Sequence, residues 1–249
     1  MPLMDEFREE REALKHGTLK QKLTYFADYY KWHAIITVIV LYFVISFAVQ
    51  ALTRKETALY VCMVNARASG SEDYITDFAE FADIDLNSQE LIFDTSISIQ
   101  TEAPSESSRA SSQKLLVYIA AGELDVMITD AETIKIYTNN ELFYDLREFL
   151  TPEQIERYKP YLYYIDMKAV QEWQEAMDNF DESFVPSYPD PRKPEEMEQP
   201  VPVGLCLKDR EGFTDNFLFM NEDVVLAVLQ NTKKSETVKQ FIDYVMAEP

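Results

Sequence analysis

Residues Gln113–Thr129, QKLLVYIAAGELDVMIT, read as a helix, a stop and a strand within one short stretch. Gln113–Ala121 has helical character, and Gly122 stands where a helix end wants a left-handed residue. Leu124–Thr129 (LDVMIT) then has strand length and an apolar run. Upstream, Thr57–Asn65 (TALYVCMVN) is a nearly continuous apolar strand, as expected where both faces of a sheet are covered. Ser71 caps a following helix that carries Glu72 and Asp73 in its first turn and Tyr74, Ile75, Phe78, Phe81 and Ala82 on one face. Glu90–Asp94 (ELIFD) is the next strand, leading into a polar, serine-rich loop over Ser96–Ser112. Strand–helix–strand–helix–strand predicts right-handed crossovers and an α/β fold: an open, mostly parallel sheet with helices on both faces.

The second half is more helical. Glu141–Leu150 has helical periodicity, and Thr151-Pro152-Glu153-Gln154 offers a capping box with proline at the first helical position. Tyr161–Ile165 predicts a short strand, and Met167, Val170, Trp173 and Met177 mark one face of a further helix. Six of the 11 prolines fall in Pro186–Pro202, which makes 183–202 a long exposed loop, flexible like 96–112. Val203–Leu207 and Val224–Leu229 are later strands, and the chain closes on a helix capped by Ser235 with Val238, Phe241, Ile242 and Val245 as its buried stripe.

A second kind of segment precedes this domain. Ala34–Leu52, AIITVIVLYFVISFAVQAL, contains no acid or base. Nineteen residues at about 1.5 Å each reach about 28 Å, close to the hydrocarbon thickness of a bilayer. Tyr25, Phe26, Tyr29, Tyr30 and Trp32 form an aromatic belt on one side, and Arg54 and Lys55 stand on the other. The expected organisation is a cytoplasmic juxtamembrane helical segment over 1–33, a transmembrane helix over 34–52, a linker over 53–57 and an extracytoplasmic domain over 58–249. Lys15, Lys20, Lys22 and Lys31 before the span, against Arg54, Lys55 and Arg67 after it, favour an inside N-terminus. A cleaved signal peptide ending near Val49-Gln50-Ala51 is the alternative; the long preceding segment favours an uncleaved anchor. Met4–Leu14 is a further helix candidate. Thr18–Trp32 either lies in the headgroup region or extends the spanning helix into water.

Charge and composition narrow the function. The 249 residues carry 23 basic and 44 acidic side chains, a net charge of −21. Residues 1–33 are balanced, so 53–249, with 17 basic and 38 acidic, hold the whole excess. Nucleic acid is excluded as a partner, because phosphate recognition needs a basic face. The glycines, at 17, 70, 122, 204 and 212, build neither a GxGxxG turn nor a GxxxxGK loop. His16 and His33, the two histidines, precede the domain, so it has no histidine to activate a serine or cysteine nucleophile.

Several stretches carry a resemblance. Leu115–Asp130 (LLVYIAAGELDVMITD), Leu142–Leu146 (LFYDL) and the strand–turn–helix of Val225–Val245 resemble parts of bacterial extracellular solute-binding proteins, whose two α/β lobes enclose a cleft. Tyr29-Tyr30-Lys31-Trp32-His33 is similar to bacterial membrane proteins that join one anchor helix to such a domain. The resemblance implies a periplasmic-binding-protein-like scaffold. Residues 58–249 number 192, however, and members of that family are usually longer, which implies one complete lobe and a reduced second.

In an open parallel sheet, ligands bind beyond the carboxyl ends of the strands. The candidates there are Asn65 and Arg67, Asp94 and Thr95, and Thr129 and Asp130, each of which serves equally to cap a turn. Asp83, Asp85, Asn87 and Asp94 match four positions of a calcium loop, although Ser88 replaces its glycine. Asp178, Asp181 and Glu182 form an acidic cluster without ligand spacing. Cys62 and Cys206 fall in two buried strands, as a disulfide or as unpaired packers. No catalytic residue and no cofactor is expected. The expectation is a non-enzymatic, single-pass membrane protein whose domain serves as an interaction module with a membrane or envelope protein. The alternatives are a module that binds a small solute and, less favoured, a secreted hydrolase using paired carboxylates.

Overall fold

The computed structural model describes residues 18–53, 55–100, 103–138, 142–180, 183–185, 187–208, 210–221 and 223–247, in two separate units, 1–54 and 55–249. The helix expected over Met4–Leu14 lies outside them, as do Asp181, Glu182 and the side chains of Tyr25, Phe26, Tyr29 and Tyr30.

In the first unit α1 (Leu19–Thr53) is one continuous helix of 35 residues. The segment before the apolar run therefore continues the same helix. Its stretch Lys31–Gln50 has a mean hydropathy of 2.3 and none of it is buried, so it is long and apolar enough to cross a membrane.

The second unit is a mixed α/β sandwich. Its six-stranded sheet uses β1 (Glu56–Met63), β3 (Gln89–Asp94), β4 (Val126–Asp130), β5 (Leu162–Asp166), β6 (Pro200–Cys206) and β8 (Val224–Val228), in the order β3-β1-β4-β8-β6-β5. A separate pair, β2 (Ala66–Ala68) and β7 (Phe217–Phe219), runs antiparallel. Helices cover both faces. On one lie α2 (Ser71–Phe81), α5 (Leu146–Phe149), α6 (Pro152–Tyr158), α8 (Glu211–Thr214) and α9 (Ser235–Ala247), whose Phe78, Phe149, Tyr158, Phe213 and Phe241 pack on Leu59, Val61, Ile128 and Leu226. On the other lie α3 (Glu106–Ala121), α4 (Ala131–Thr138) and α7 (Met167–Asp178), whose Leu115, Ile119, Ile134 and Val170 cover Cys62, Met127, Val203 and Ala227.

The sheet is parallel only in its first half. β3 and β4 run parallel to β1, whereas β8, β6 and β5 alternate antiparallel. The reason lies in the connection from β5 to β6. α7 travels one way along the sheet, and residues 179–199 bring the chain back to where α7 began, with Met167 N donating to Gln199 O at 3.0 Å. A crossover cancelled by its return loop puts β6 antiparallel beside β5. The proline-rich stretch is thus tied down along much of its length: Tyr164 N donates to Pro191 O at 2.8 Å, and the loop ends at Pro200, already in β6. Pro202 lacks an N–H for the ladder. The register with β5 shifts between Tyr163 and Tyr164 at that point, and β8 pairs only with Gly204–Cys206 beyond it.

Two further boundaries differ from expectation. α3 starts at Glu106, inside the expected 96–112 loop, because Ser105 caps it by accepting from Ser108 N at 3.2 Å. The helix expected over Glu141–Leu150 shrinks to α5. Phe143 makes a bridge to Leu229, Asp145 accepts from Arg147 N at 2.9 Å as a cap, and Pro152 forces Thr151 to extended backbone before α6 restarts with a full capping box.

Asp125 ties these pieces together at the start of β4. Its Oδ2 accepts from Tyr60 N (2.8 Å) and Lys234 Nζ (2.8 Å), and its Oδ1 from Thr232 Oγ1 (2.6 Å). The side chain is 3% exposed. Removing one partner of such a pair strands a buried charge, so Lys234→Met is expected to cost about 3 kcal/mol in urea unfolding, and the added Asp125→Leu change to recover most of that loss. Gly204 sits under β8: a Cβ there would lie 2.6 Å from Val225 Cγ1 and 2.9 Å from Leu226 O. Gly204→Ala is expected to lower the urea midpoint, by about 1–3 kcal/mol of stability, through overpacking.

Candidate functional site

At the carboxyl ends of the parallel strands, Asn65, Asp94 and Asp130 among the predicted residues are occupied by their own chain. Asn65 ends β1 in the left-handed region (φ 60°), a conformation asparagine tolerates. Its Oδ1 accepts from Ile99 N (2.8 Å) and its Nδ2 donates to Ile99 O (3.0 Å), while its own N–H donates to Ile97 O (3.0 Å). The segment after β3 is thereby sewn across the end of β1, with Ile97 and Ile99 buried. Asn65 Nδ2 also meets Asp130 Oδ2 at 3.3 Å. Asp130 in turn accepts from Thr133 N (2.8 Å) and Thr133 Oγ1 (2.9 Å), the arrangement of a helix cap at the start of α4. Asn65 and Asp130 are thus brought together, and both act on backbone and neighbouring side chains.

Asp94 belongs to a second group. Its Oδ1 accepts from Ser96 N (2.7 Å), its Oδ2 from the Tyr60 hydroxyl (3.1 Å), and Lys114 Nζ stands 3.7 Å away. Burial alone would raise the Asp94 carboxyl, but the Ser96 bonds, Lys114 and Tyr60 together hold it below the usual carboxylate range. The same contact pushes the Tyr60 phenol far up, with burial the larger cause. Thr95 is half-buried, and Arg67 is exposed on β2 opposite Leu218. Thr129 is fully buried, and its hydroxyl has no hydrogen-bond partner among the described residues.

The four calcium-loop positions do not converge. Asp85 accepts from Asn87 N (3.0 Å), Asn87 Nδ2 (2.8 Å) and Ser88 Oγ (2.9 Å), forming a local turn, while Asp94 is engaged with Lys114. Asp83 occupies the left-handed region after α2 (φ 54°). Among the described residues no group of three or more His, Cys, Asp or Glu side chains could hold a metal.

Both cysteines are free and buried. Cys62 lies in β1 and Cys206 in β6, with β4 and β8 between them, so about 14 Å separates their strands against the roughly 4–7 Å that a disulfide bridges. Burial pushes the Cys62 thiol up to about 12, with Asp94 adding to it. Burial raises Cys206 as well, partly offset by Arg192.

At the opposite end of the sheet lies a cavity that the sequence did not indicate. It measures about 180 Å3 and is walled by Phe143, Ile165, Met167, Val201 and Val203. These come from the segment before α5, the end of β5, the start of α7 and the start of β6. Thr138, Asp145 and Gln230 add the polar groups. The wall residues span Thr138 to Gln230 in sequence, and the sole trace of the cavity is the run of apolar residues in β5 and β6, which also suits plain core packing. Beside it, Asp166 fixes the turn from β5 into α7, accepting from Lys168 N (3.0 Å), Gln199 N (2.9 Å) and Glu198 N (2.9 Å). Burial works against its charge, yet those backbone donors outweigh it and lower the carboxyl.

Compared with known proteins, the chain matches no family model, no curated protein and no solved structure.

Two measurements follow from this chemistry. A carboxylate lowered on folding stabilises above its unfolded value of about 3.9, and that contribution disappears as the pH falls through the folded value. Asp166→Ala should therefore lose about 1–2 kcal/mol at pH 7 and show a flatter loss of stability below pH 4 than the unaltered chain. A thiol reagent at pH 8 without reductant is expected to label neither cysteine in the folded protein and both after denaturation; one or no label in denaturant would show a bridge.

Proposed function

We propose that the chain is a single-pass membrane protein with its N-terminus in the cytoplasm and an acidic extracytoplasmic domain that acts, without catalysis, as an interaction module of an envelope complex. The domain then represents a solute-binding-protein scaffold whose second lobe is reduced to little more than the β2–β7 pair. One observation carries this reading. The place where such a scaffold would hold its solute, the carboxyl end of the parallel strands, is crossed by the chain's own Ile97–Ile99 segment, and Asn65 and Asp130 are engaged in holding it and capping α4. Polar side chains already paired within the fold offer a solute little, because each new bond replaces an existing one. The unburied apolar stretch of α1 supports the membrane anchor, and the balance of 17 basic to 38 acidic residues over 53–249 favours a partner with a basic surface.

The test uses the full chain at native abundance. Protease added to intact cells is expected to degrade the domain and to spare residues 1–33, and carbonate washing should leave the chain in the membrane fraction. After extraction in mild detergent it is expected to migrate with a stoichiometric partner, and reversing to lysine the charge of Glu172, Glu175 and Asp178, three exposed acids on the outer side of α7, should weaken that association. Migration as the free 29.0 kDa chain, together with a rise of several degrees in melting temperature with one sugar, peptide or amino acid, would overturn the reading in favour of a solute-binding module.

A further inference from the structure

The cavity at the β5–β6 end of the sheet has the properties of a built binding site. Its volume of about 180 Å3 exceeds the small voids that close-packed interiors leave and is enough for a benzene-sized molecule, which can enter because the space opens to the surface on one side. Its walls are pinned independently of any ligand. Phe143 is held by its bridge to Leu229, and its carbonyl accepts from Gln230 Nε2 at 3.1 Å. Leu142 O accepts from Gln230 N at 2.9 Å, and Tyr144 N donates to Val228 O at 2.9 Å. Met167 is fixed by its N–H bond to Gln199 O, and the turn beneath it by the three donors to Asp166. A pre-formed, apolar space loses little entropy when it is filled.

Its polar groups further restrict the ligand. One N–H of the Gln230 amide is engaged with Phe143 O, which leaves its carbonyl oxygen and its second N–H to offer. The Thr138 hydroxyl donates to Lys135 O at 2.8 Å, so it offers only lone pairs. Asp145 is already paired: the Arg147 guanidinium donates to both of its carboxylate oxygens, so it brings no free charge to the pocket. The groups left over are two acceptors, the Gln230 carbonyl oxygen and the Thr138 hydroxyl oxygen, against one Gln230 N–H, and no cation remains to pair an anion. We propose that this pocket binds a small uncharged molecule with an apolar, flat body about the size of indole and a single hydrogen-bond donor, seated against Val201 and Val203 with its donor directed to the Gln230 carbonyl. This goes beyond the interaction role proposed above and does not depend on it. The pocket lies at the opposite end of the sheet from the Asn65–Asp130 group.

The experiment is methyl-resolved NMR of the full chain in lipid nanodiscs, titrated with indole, p-cresol, 1-methylindole and benzoate. Indole and p-cresol are expected to shift the Ile165, Val201 and Val203 methyl signals saturably, leaving those of Val61 and Leu59 unmoved. Val203→Phe projects a ring into the space and is expected to abolish the shifts; Val201→Phe serves the same purpose if that variant does not fold. Partitioning into lipid is common to all the variants and cancels. Gln230→Leu should weaken indole about fivefold, the worth of one hydrogen bond, and leave 1-methylindole unchanged. Benzoate should not bind. Absence of saturable shifts up to the solubility of indole, or identical shifts in a folded pocket-filled variant, overturns the site. Equal binding of benzoate or of 1-methylindole overturns the assigned ligand chemistry.

Discussion

A carboxylate buried at the start of β4 organises the domain. Asp125 takes a backbone N–H from β1, a hydroxyl and an ammonium from the turn before α9, and its own carbonyl accepts from Leu229 N at the end of β8. Three separate parts of the chain are thus fixed to one residue by four bonds. The charge cannot leave the interior and cannot remain there unpaired, so the strands and the turn must assemble together or not at all. Asn231 extends the same turn by donating to Ile119 O at 2.8 Å, closing the end of α3 beside Gly122. The helix–stop–strand stretch is therefore a junction, with the chain's last turn packed into it.

The other half of the sheet depends on a different carboxylate. Asp166 holds both the start of α7 and the end of the long return loop, and by setting where that loop finishes it sets the direction of β6. The prolines of β6 then fit, because Pro200 and Pro202 lie where the strand has β5 as its one neighbour. Gly204 marks where β8 begins to press on the strand from the other side. The apolar cavity lies at this end of β5 and β6, lined from α4 by Thr138 and from α7 by Met167.

Much of the fold was legible in the residues. The strands around Val61, Phe93 and Met127 declare themselves because burial on both faces requires continuous apolar runs, and the cap at Thr151 and the stripe of α9 follow from local chemistry. The antiparallel half was not legible. Strand direction there is fixed by bonds between Asp166 and residues more than thirty positions away, and nothing local encodes them. α3 hid its first turns among serines, which cap and interrupt helices with similar ease. At the candidate site the sequence located Asn65, Asp94 and Asp130 at the strand ends but not their partners: Ile99, Tyr60 and Lys114 come from other segments. The cavity was the least legible feature, since it is a gap between elements and no residue type marks a gap.

The two thiols, several strands apart on one inner layer, have a consequence for how the domain matures. Neither can find the other along any route that keeps the sheet intact, and both are buried away from a foreign disulfide. The fold rests on no bond between them, so a reductant leaves its cohesion unchanged.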